Sequence, residues 1–457
     1  QFVNFYDEWC KFIKQSIVFN RFSKFNKNNQ SSIKIPLIGS GTELAVTLTS
    51  TGNNNNNNIN SGNFGSVVLS GLIGIAGCSS DNGQSSNNSG MYYTIDGGKS
   101  WTQSNTSNTN NPTGTGWFYS IALSGSIGIA CQNGNSGIIY TSDGGKNWNP
   151  SNNTTGYFTS LALSSDGKYG IAGSGEGNGI WYTTTYGQTW TQSYNNTGSL
   201  LTGNFNSMII SPDGTTGIAG SGEGNGIYYT NSGSASSIGE IWTQSNLVTG
   251  IISSVALSDS NGIAGGNAIL PPYYSNTNSG STTSIGEIWT PSNITEDYLN
   301  SVFLSSDGKN GMGSGIKYLY YTNTNTPDTS IGQNWTICTE KDGTTLLSGD
   351  FSSAALSDSN GIACGNSNNG LYYTNTNTPN TSIGQNWTPS NINNGSFGYA
   401  SSIALSIVSN SSGKSYIAGI AGGASSNGIY YTNNLTPGTY VGQTWTQSTL
   451  NPNPNSN

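Results

Sequence analysis

Histidine is absent from the 457 residues, and arginine occurs once, at Arg21. A His-based catalytic triad, a histidine metal site and an arginine cluster are therefore out of reach within one chain. Charged residues make up only 7 % of the sequence. No run of eighteen apolar residues is present, so no helical membrane span is expected. The five cysteines (Cys10, Cys78, Cys131, Cys338, Cys364) are odd in number, scattered and without a C-x-x-C pair, which argues against a disulfide framework. Cys78, Cys131 and Cys364 fall in the same Gly-Ile-Ala stretch of three repeats and read as small buried hydrophobes.

Hydrophobic residues reach only 33 %, a level that accompanies disorder when charge is high and aromatics are few. Here aromatics reach 11 % and recur periodically. The chain reads as a folded β protein whose surface is Asn, Ser, Thr and Gly. The net charge of −8 is unevenly spread. Residues 1–34 carry six basic groups against Asp7 and Glu8, and the remainder carries seven basic against nineteen acidic groups, balances of +4 and −12. The body repels nucleic acid and anionic lipid, while the basic arm suits an acidic partner, including the body of another copy.

Residues 2–17 follow a helical period, with Phe2, Phe5, Tyr6, Trp9, Phe12, Ile13 and Ile17 on one face. Phe2, Phe5, Trp9, Phe12, Ile13 and Ile17 form the candidate assembly face of an arm spanning 1–38. From there a repeat begins. Trp101, Trp148, Trp190, Trp242, Trp289, Trp335, Trp387 and Trp445 stand 42 to 58 residues apart. Each is preceded by an apolar run ending in Ser, a Gly-Ile-Ala stretch and, in most copies, a Tyr-Tyr-Thr stretch. Turns such as Ser-Asp-Gly-Lys at 165–168 fit tight hairpins. Four short strands per unit, unable to bury both faces alone, predict a ring of four-stranded antiparallel blades. The expected fold is all-β: an eight-bladed propeller over 39–449, or seven-bladed if one unit is irregular, followed by a disordered tail at 450–457. The segment 41–50 reads as a degenerate fourth strand that pairs with the last blade.

The turn before the Trp reads TIDGGKSW at 94–101 and TSDGGKNW at 141–148. Both match S/T-x-D-x-G-x-x-W, and so the chain resembles the BNR/Asp-box repeat propellers, a family that includes sialidases, xyloglucanases, sortilin-type receptors and photosystem II assembly factors. The third copy, TTTYGQTW at 183–190, has lost the Asp, and later copies carry insertions. The resemblance implies that the box serves folding and lies away from the ligand face, which assigns Asp96, Gly98, Trp101, Asp143, Gly145 and Trp148 to structure. Sialidase chemistry, which relies on an arginine triad, does not carry over. The Asn-rich composition, including six Asn at 53–58, is similar to that of proteins from AT-rich genomes, giant viruses of amoebae among them.

For ligands, two copies of GSGEGNGI (173–180 and 220–227) place Glu176, Asn178, Glu223 and Asn225 in the loop between second and third strands, suited to a sugar or to Ca²⁺. The plainer reading is good turn chemistry duplicated between adjacent repeats. No cofactor is expected. Trp117, Phe118, Tyr157 and Phe158 precede two first strands and suit either sugar stacking or packing between blades. The function expected is a non-catalytic structural or adhesive propeller on a virion or cell exterior, assembling with itself or other structural proteins through its arm. The alternatives are a glycan-binding module and, third, a carbohydrate-active hydrolase.

Overall fold

The structure, a computed structural model, describes residues 30–36 and 43–49, and 63–450 apart from 79–89, 106–116, 133–135, 154, 232–237, 259, 267–270, 277–283, 306, 325–329, 358, 366–369, 376–382, 394–399, 410–414, 424–427 and 435–439. The candidate assembly face (Phe2, Phe5, Trp9, Phe12, Ile13 and Ile17) lies outside the described residues. The chain divides into two compact units, Gln1–Asn56 and Asn57–Asn457. In the first, Gln30–Pro36 pairs antiparallel with Glu43–Thr49. This corrects the expectation that 41–50 joins the last blade: the strand pairs with a segment closer in sequence.

The second unit is an eight-bladed β-propeller. The blades span 64–103, 118–150, 158–192, 205–244, 254–291, 299–337, 351–389 and 400–447. Blade 4 shows the plan: Phe205–Ile210, Thr216–Ser221, Ile227–Asn231 and Ile241–Gln244 pair antiparallel in sequence order. Its second strand is buried along its whole length, because it is sandwiched between neighbouring sheets. Only small residues allow that approach. A Cβ on Gly77 would lie 2.6 Å from the Phe118 Cβ of the next blade, and one on Gly422 2.8 Å from the Phe64 carbonyl oxygen. Cys131 and Cys364 take this place in blades 2 and 7, and both are fully buried. Burial pushes each thiol up to about 12, so neither is a nucleophile at neutral pH.

The recurrent Trp wedges between sheets. Trp101, Trp242, Trp387 and Trp445 have no exposed surface. In six blades the indole Nε1–H donates to the carbonyl three residues back, at Gly98, Gly145, Gly187, Gly239, Gly286 and Gly384. Every blade has glycine there, at φ between 79° and 90°. The left-handed backbone favours glycine, and the preceding blade demands it: a Cβ on Gly239 would meet Tyr182 Cβ at 2.8 Å and Ile171 at 3.0 Å. Upstream, Asp96 accepts from the Ser100 amide (3.0 Å) and hydroxyl and from Thr94 Oγ1, and Asp143 repeats this with Asn147 and Thr141. Thr185 stands in for the Asp in blade 3, accepting from the Thr189 amide at 2.9 Å. Blades 5, 6 and 8 change the device. There Glu287, Gln333 and Gln443 reach back to the amides of Ser284, Ser330 and Tyr440.

One contact recurs at all eight junctions. Four residues past each Trp, a backbone N–H donates to the carbonyl two residues before the Trp of the next blade. The pairs are Asn105–Lys146, Asn152–Gln188, Tyr194–Glu240, Asn246–Glu287, Asn293–Gln333, Thr339–Gln385, Asn391–Gln443 and Thr449–Lys99, at 2.8–3.2 Å. The last pair closes the ring. Around it Thr449–Leu450 lies parallel to Ser100–Trp101, and Leu450 packs against the core cluster that holds Phe64, Trp101, Ile420 and Ile429. Leu450, read from sequence as the start of the tail, therefore belongs to a strand; 451–457 lie outside the described residues. Nearer the axis, serine hydroxyls couple neighbouring first strands. Ser120, Ser160, Ser207, Ser254 and Ser402 accept from the amides of Leu161, Met208, Val255, Val302 and Val67.

Ending the chain at Ser448 removes the closing N–H bond and the partly buried Leu450 side chain, each worth about 1 kcal/mol. The expected result is a clear fall in thermal midpoint, whereas a chain ending at Leu450 melts like the full-length protein. Equal midpoints for all three would show that the C-terminal pairing does not hold the ring.

Candidate functional site

The loops between second and third strands gather on one face with the links that lead from each fourth strand to the next blade. In blade 3, Ser174 Oγ accepts from the amides of Glu176 (3.2 Å) and Asn178 (3.1 Å). Ser221 does the same for Glu223 and Asn225 in blade 4. Each loop is then strapped to the following link. Gly179 N–H donates to Gly203 O and Gly203 N–H to Gly177 O, both at 3.1 Å, and Gly226 and Gly250 repeat the arrangement with Gly224. The two loops thus present exposed Glu side chains on backbones held by several hydrogen bonds.

Their surroundings differ. Glu176 and Asn178 line a recess of about 370 Å³ together with Asn153, Thr155, Gly156, Phe158 and Trp181. Glu223 and Asn225 are not part of it. Glu223 turns instead toward the 193–204 link, where its Oε2 lies 3.7 Å from a Cβ placed on Gly203. Trp181 Nε1–H donates to Asn178 O at 3.0 Å, so the ring's polar edge is occupied and its apolar faces remain. Trp181 also meets the buried Phe158 edge-on, 6.4 Å between centroids.

Of the aromatics singled out in the sequence, Trp117 is 41 % exposed, but Phe118 and Phe158 are 2 % and 1 % exposed and belong to the cores of blades 2 and 3. This removes both phenylalanines as stacking surfaces. Tyr119, which the sequence reading passed over, is exposed and meets Tyr157 at 5.3 Å. The hydrogen bond between them, with burial next, pushes the Tyr157 hydroxyl up to about 12.

Another residue missed in the sequence is Asp297. It is 3 % exposed and accepts from the amides of Tyr298, Ile316 and Lys317 and from the Tyr320 hydroxyl. A buried carboxylate here replaces the Ser-based loop of blades 3 and 4. Burial, and then the Asp297 charge, raise the Tyr320 hydroxyl well above its ordinary value. Asp297 is consumed by its loop and has no spare geometry for chemistry.

Two carboxylates facing one sugar bond are the usual requirement for glycoside hydrolysis. Among the described residues, Glu176 is the only carboxylate lining the recess. Ca²⁺ takes six to eight oxygens, usually several from carboxylates, and the recess donor set fits it poorly. Among the described residues, no three His, Cys, Asp or Glu side chains gather as a metal site, and no helix is long and apolar enough to cross a membrane.

No family profile and no curated protein sequence matches this chain. Solved structures do. The propeller of Dos1 is 13 % identical, with 86 % of this chain and 97 % of that one covered and a TM-score of 0.52. An ancestral GH74 enzyme is 13 % identical with a TM-score of 0.49; the match covers 86 % of this chain but only 62 % of the enzyme's length. YCF48 from Cyanidioschyzon merolae is 16 % identical, with 69 % and 95 % covered and a TM-score of 0.45. At these identities the likeness shows the propeller fold and nothing further.

Proposed function

We propose that this propeller is a non-catalytic structural or adhesive protein, displayed on a virion or cell exterior and assembling through its N-terminal arm. The observation that carries the non-catalytic reading is the recess itself: a ligand-sized hollow on the loop face whose described lining holds a single carboxylate beside amide, hydroxyl and aromatic groups. The charge-poor surface and the opposite balances of arm and body support assembly over enzymatic work. The hydrogen bonds around Asp96 and Asp143 support the resemblance to Asp-box propellers, with those residues serving the turn. Glycan binding is the second reading, favoured by Trp181 beside Asn153, Glu176 and Asn178.

Removal of residues 1–29 tests the first reading while leaving the 30–49 hairpin intact. The shortened chain is expected to melt at the same temperature but to sediment as a smaller species. Unchanged assembly would defeat the arm's role. Release of reducing sugar from polysaccharide, abolished by Glu176→Gln, would defeat the non-catalytic reading.

A further inference from the structure

The recess owes its character to two departures from the repeat. The place in the link whose carbonyl accepts from the start of the third strand is held by Leu247 after blade 4 and Leu347 after blade 6; these and Ile294, which stands after blade 5 at the same spacing from its Trp as Leu247, are 9 %, 2 % and 7 % exposed and packed in the core. After blade 2 that place is held by Asn153. The backbone there is the same. Asn153 N–H donates to Ser151 Oγ and Ile138 N–H to Asn153 O, as Leu247 does with Ser245 and Ile227. Asn153 is 8 % exposed, and its side-chain Nδ2 has no acceptor among the described residues. A buried amide donor without a partner costs about 1–3 kcal/mol, and an apolar side chain at the same place would avoid that cost. The second departure is Trp181, which takes the place held by Tyr92, Tyr228, Tyr320, Tyr372 and Tyr430 in other blades. Both exceptions line the same recess.

We infer that this recess is a subsite for one neutral sugar residue, with Asn153 Nδ2 donating to a sugar oxygen, Glu176 and Asn178 contacting hydroxyls at the rim, and Trp181 forming the apolar wall. A sugar ring offers what the lining asks for: oxygens that accept and donate on its edges and C–H groups on its faces. A peptide added as a strand would need free backbone groups. The backbones here are already bonded, Gly177 and Gly179 to Gly203, Ser174 to Gly179 and Gly175 to Tyr157. An anion would meet Glu176 with no cation among the lining residues. The inference rests on the glycan-binding reading given above and deepens it by naming the subsite and its ligand class.

The test uses the full chain and the methyl glycosides of glucose, galactose, mannose and N-acetylglucosamine, at millimolar concentration, read by saturation-transfer NMR and calorimetry. At least one is expected to bind. Asn153→Leu and Trp181→Tyr install residues that other blades already carry, so folding is protected by precedent. Asn153→Leu is expected to weaken binding about tenfold, the worth of one buried hydrogen bond, while its thermal midpoint stays level or rises. Trp181→Tyr should weaken binding as well, and Glu223→Gln should leave it unchanged. Absence of binding by all four glycosides overturns the subsite, as does equal affinity in the wild type and Asn153→Leu. Equal affinity loses the subsite alone, whereas no binding loses the glycan-binding reading with it and leaves assembly through the arm to its own test. A glycoside that binds and is then hydrolysed keeps the subsite and sinks the non-catalytic reading.

Discussion

Trp242→Ala is expected to lower the unfolding free energy by about 3–5 kcal/mol, read from chemical denaturation. The indole has no exposed surface and fills the seam between blades 3 and 4, among Ile171, Ile180, Ile210, Ala219 and Ile238. Neighbouring backbone cannot collapse into the space, because both flanking sheets are fixed by their own ladders. Trp242→Phe separates packing from hydrogen bonding. It retains most of the ring but loses the 2.9 Å bond to Gly239 O, so its cost beyond the lost volume is about 1 kcal/mol. A Trp242→Ala protein as stable as the parent would mean that the seam is held by something other than this ring.

Gly179→Ala is expected to cost about 3 kcal/mol and to loosen the loop bearing Glu176 and Asn178. Gly179 sits at φ 77°, and a Cβ there would lie 2.7 Å from the Leu201 carbonyl carbon and closer still to its oxygen. That obstacle is backbone, so the loop and the link must part, and the Gly179–Gly203 bond goes with them. Gly177 provides the control. Its φ is 83°, yet a Cβ there meets nothing within 4 Å. Gly177→Ala should therefore show only the left-handed penalty of about 1–2 kcal/mol. The difference between the two melting curves measures the clash alone, and identical curves would refute the strap.

The ring was readable from eight tryptophans because each occupies the same seam, and packing leaves little choice of residue. The glycine three places earlier was equally regular, since any Cβ there strikes the preceding blade. The junction bond escaped notice for the opposite reason. The bond itself uses a backbone N–H, so Tyr194 and Thr449 serve as well as Asn. Five of the eight donors are nonetheless Asn, and at Asn152, Asn246 and Asn293 the side-chain oxygen accepts from the next Trp N–H while the amide donates to its carbonyl, a pattern submerged in a chain rich in Asn. The candidate site was half legible. GSGEGNGI appears twice with one local conformation, but what surrounds it comes from the preceding link. Asn153, Thr155 and Gly156 border a hollow beside Glu176. The 193–204 link folds back on itself, Tyr194 bridging Leu200, and Glu223 turns toward it. Asn153 looked ordinary in an Asn-rich chain. It stands out only when aligned with Leu247 and Leu347, an alignment set by hydrogen bonds and not by side chains.

Many circular folds complete their ring with a special strand exchanged between the two ends of the chain. Here the final seam is sewn with the same stitch as the other seven, Thr449 to Lys99 matching Asn246 to Glu287. Each unit brings its own fastener for whichever unit follows, so gain or loss of a whole repeat needs no new closing device. Near-identical stretches such as 322–335 and 374–387 are what such a modular gene would carry, and the diameter of the wheel becomes a quantity that duplication can change one spoke at a time.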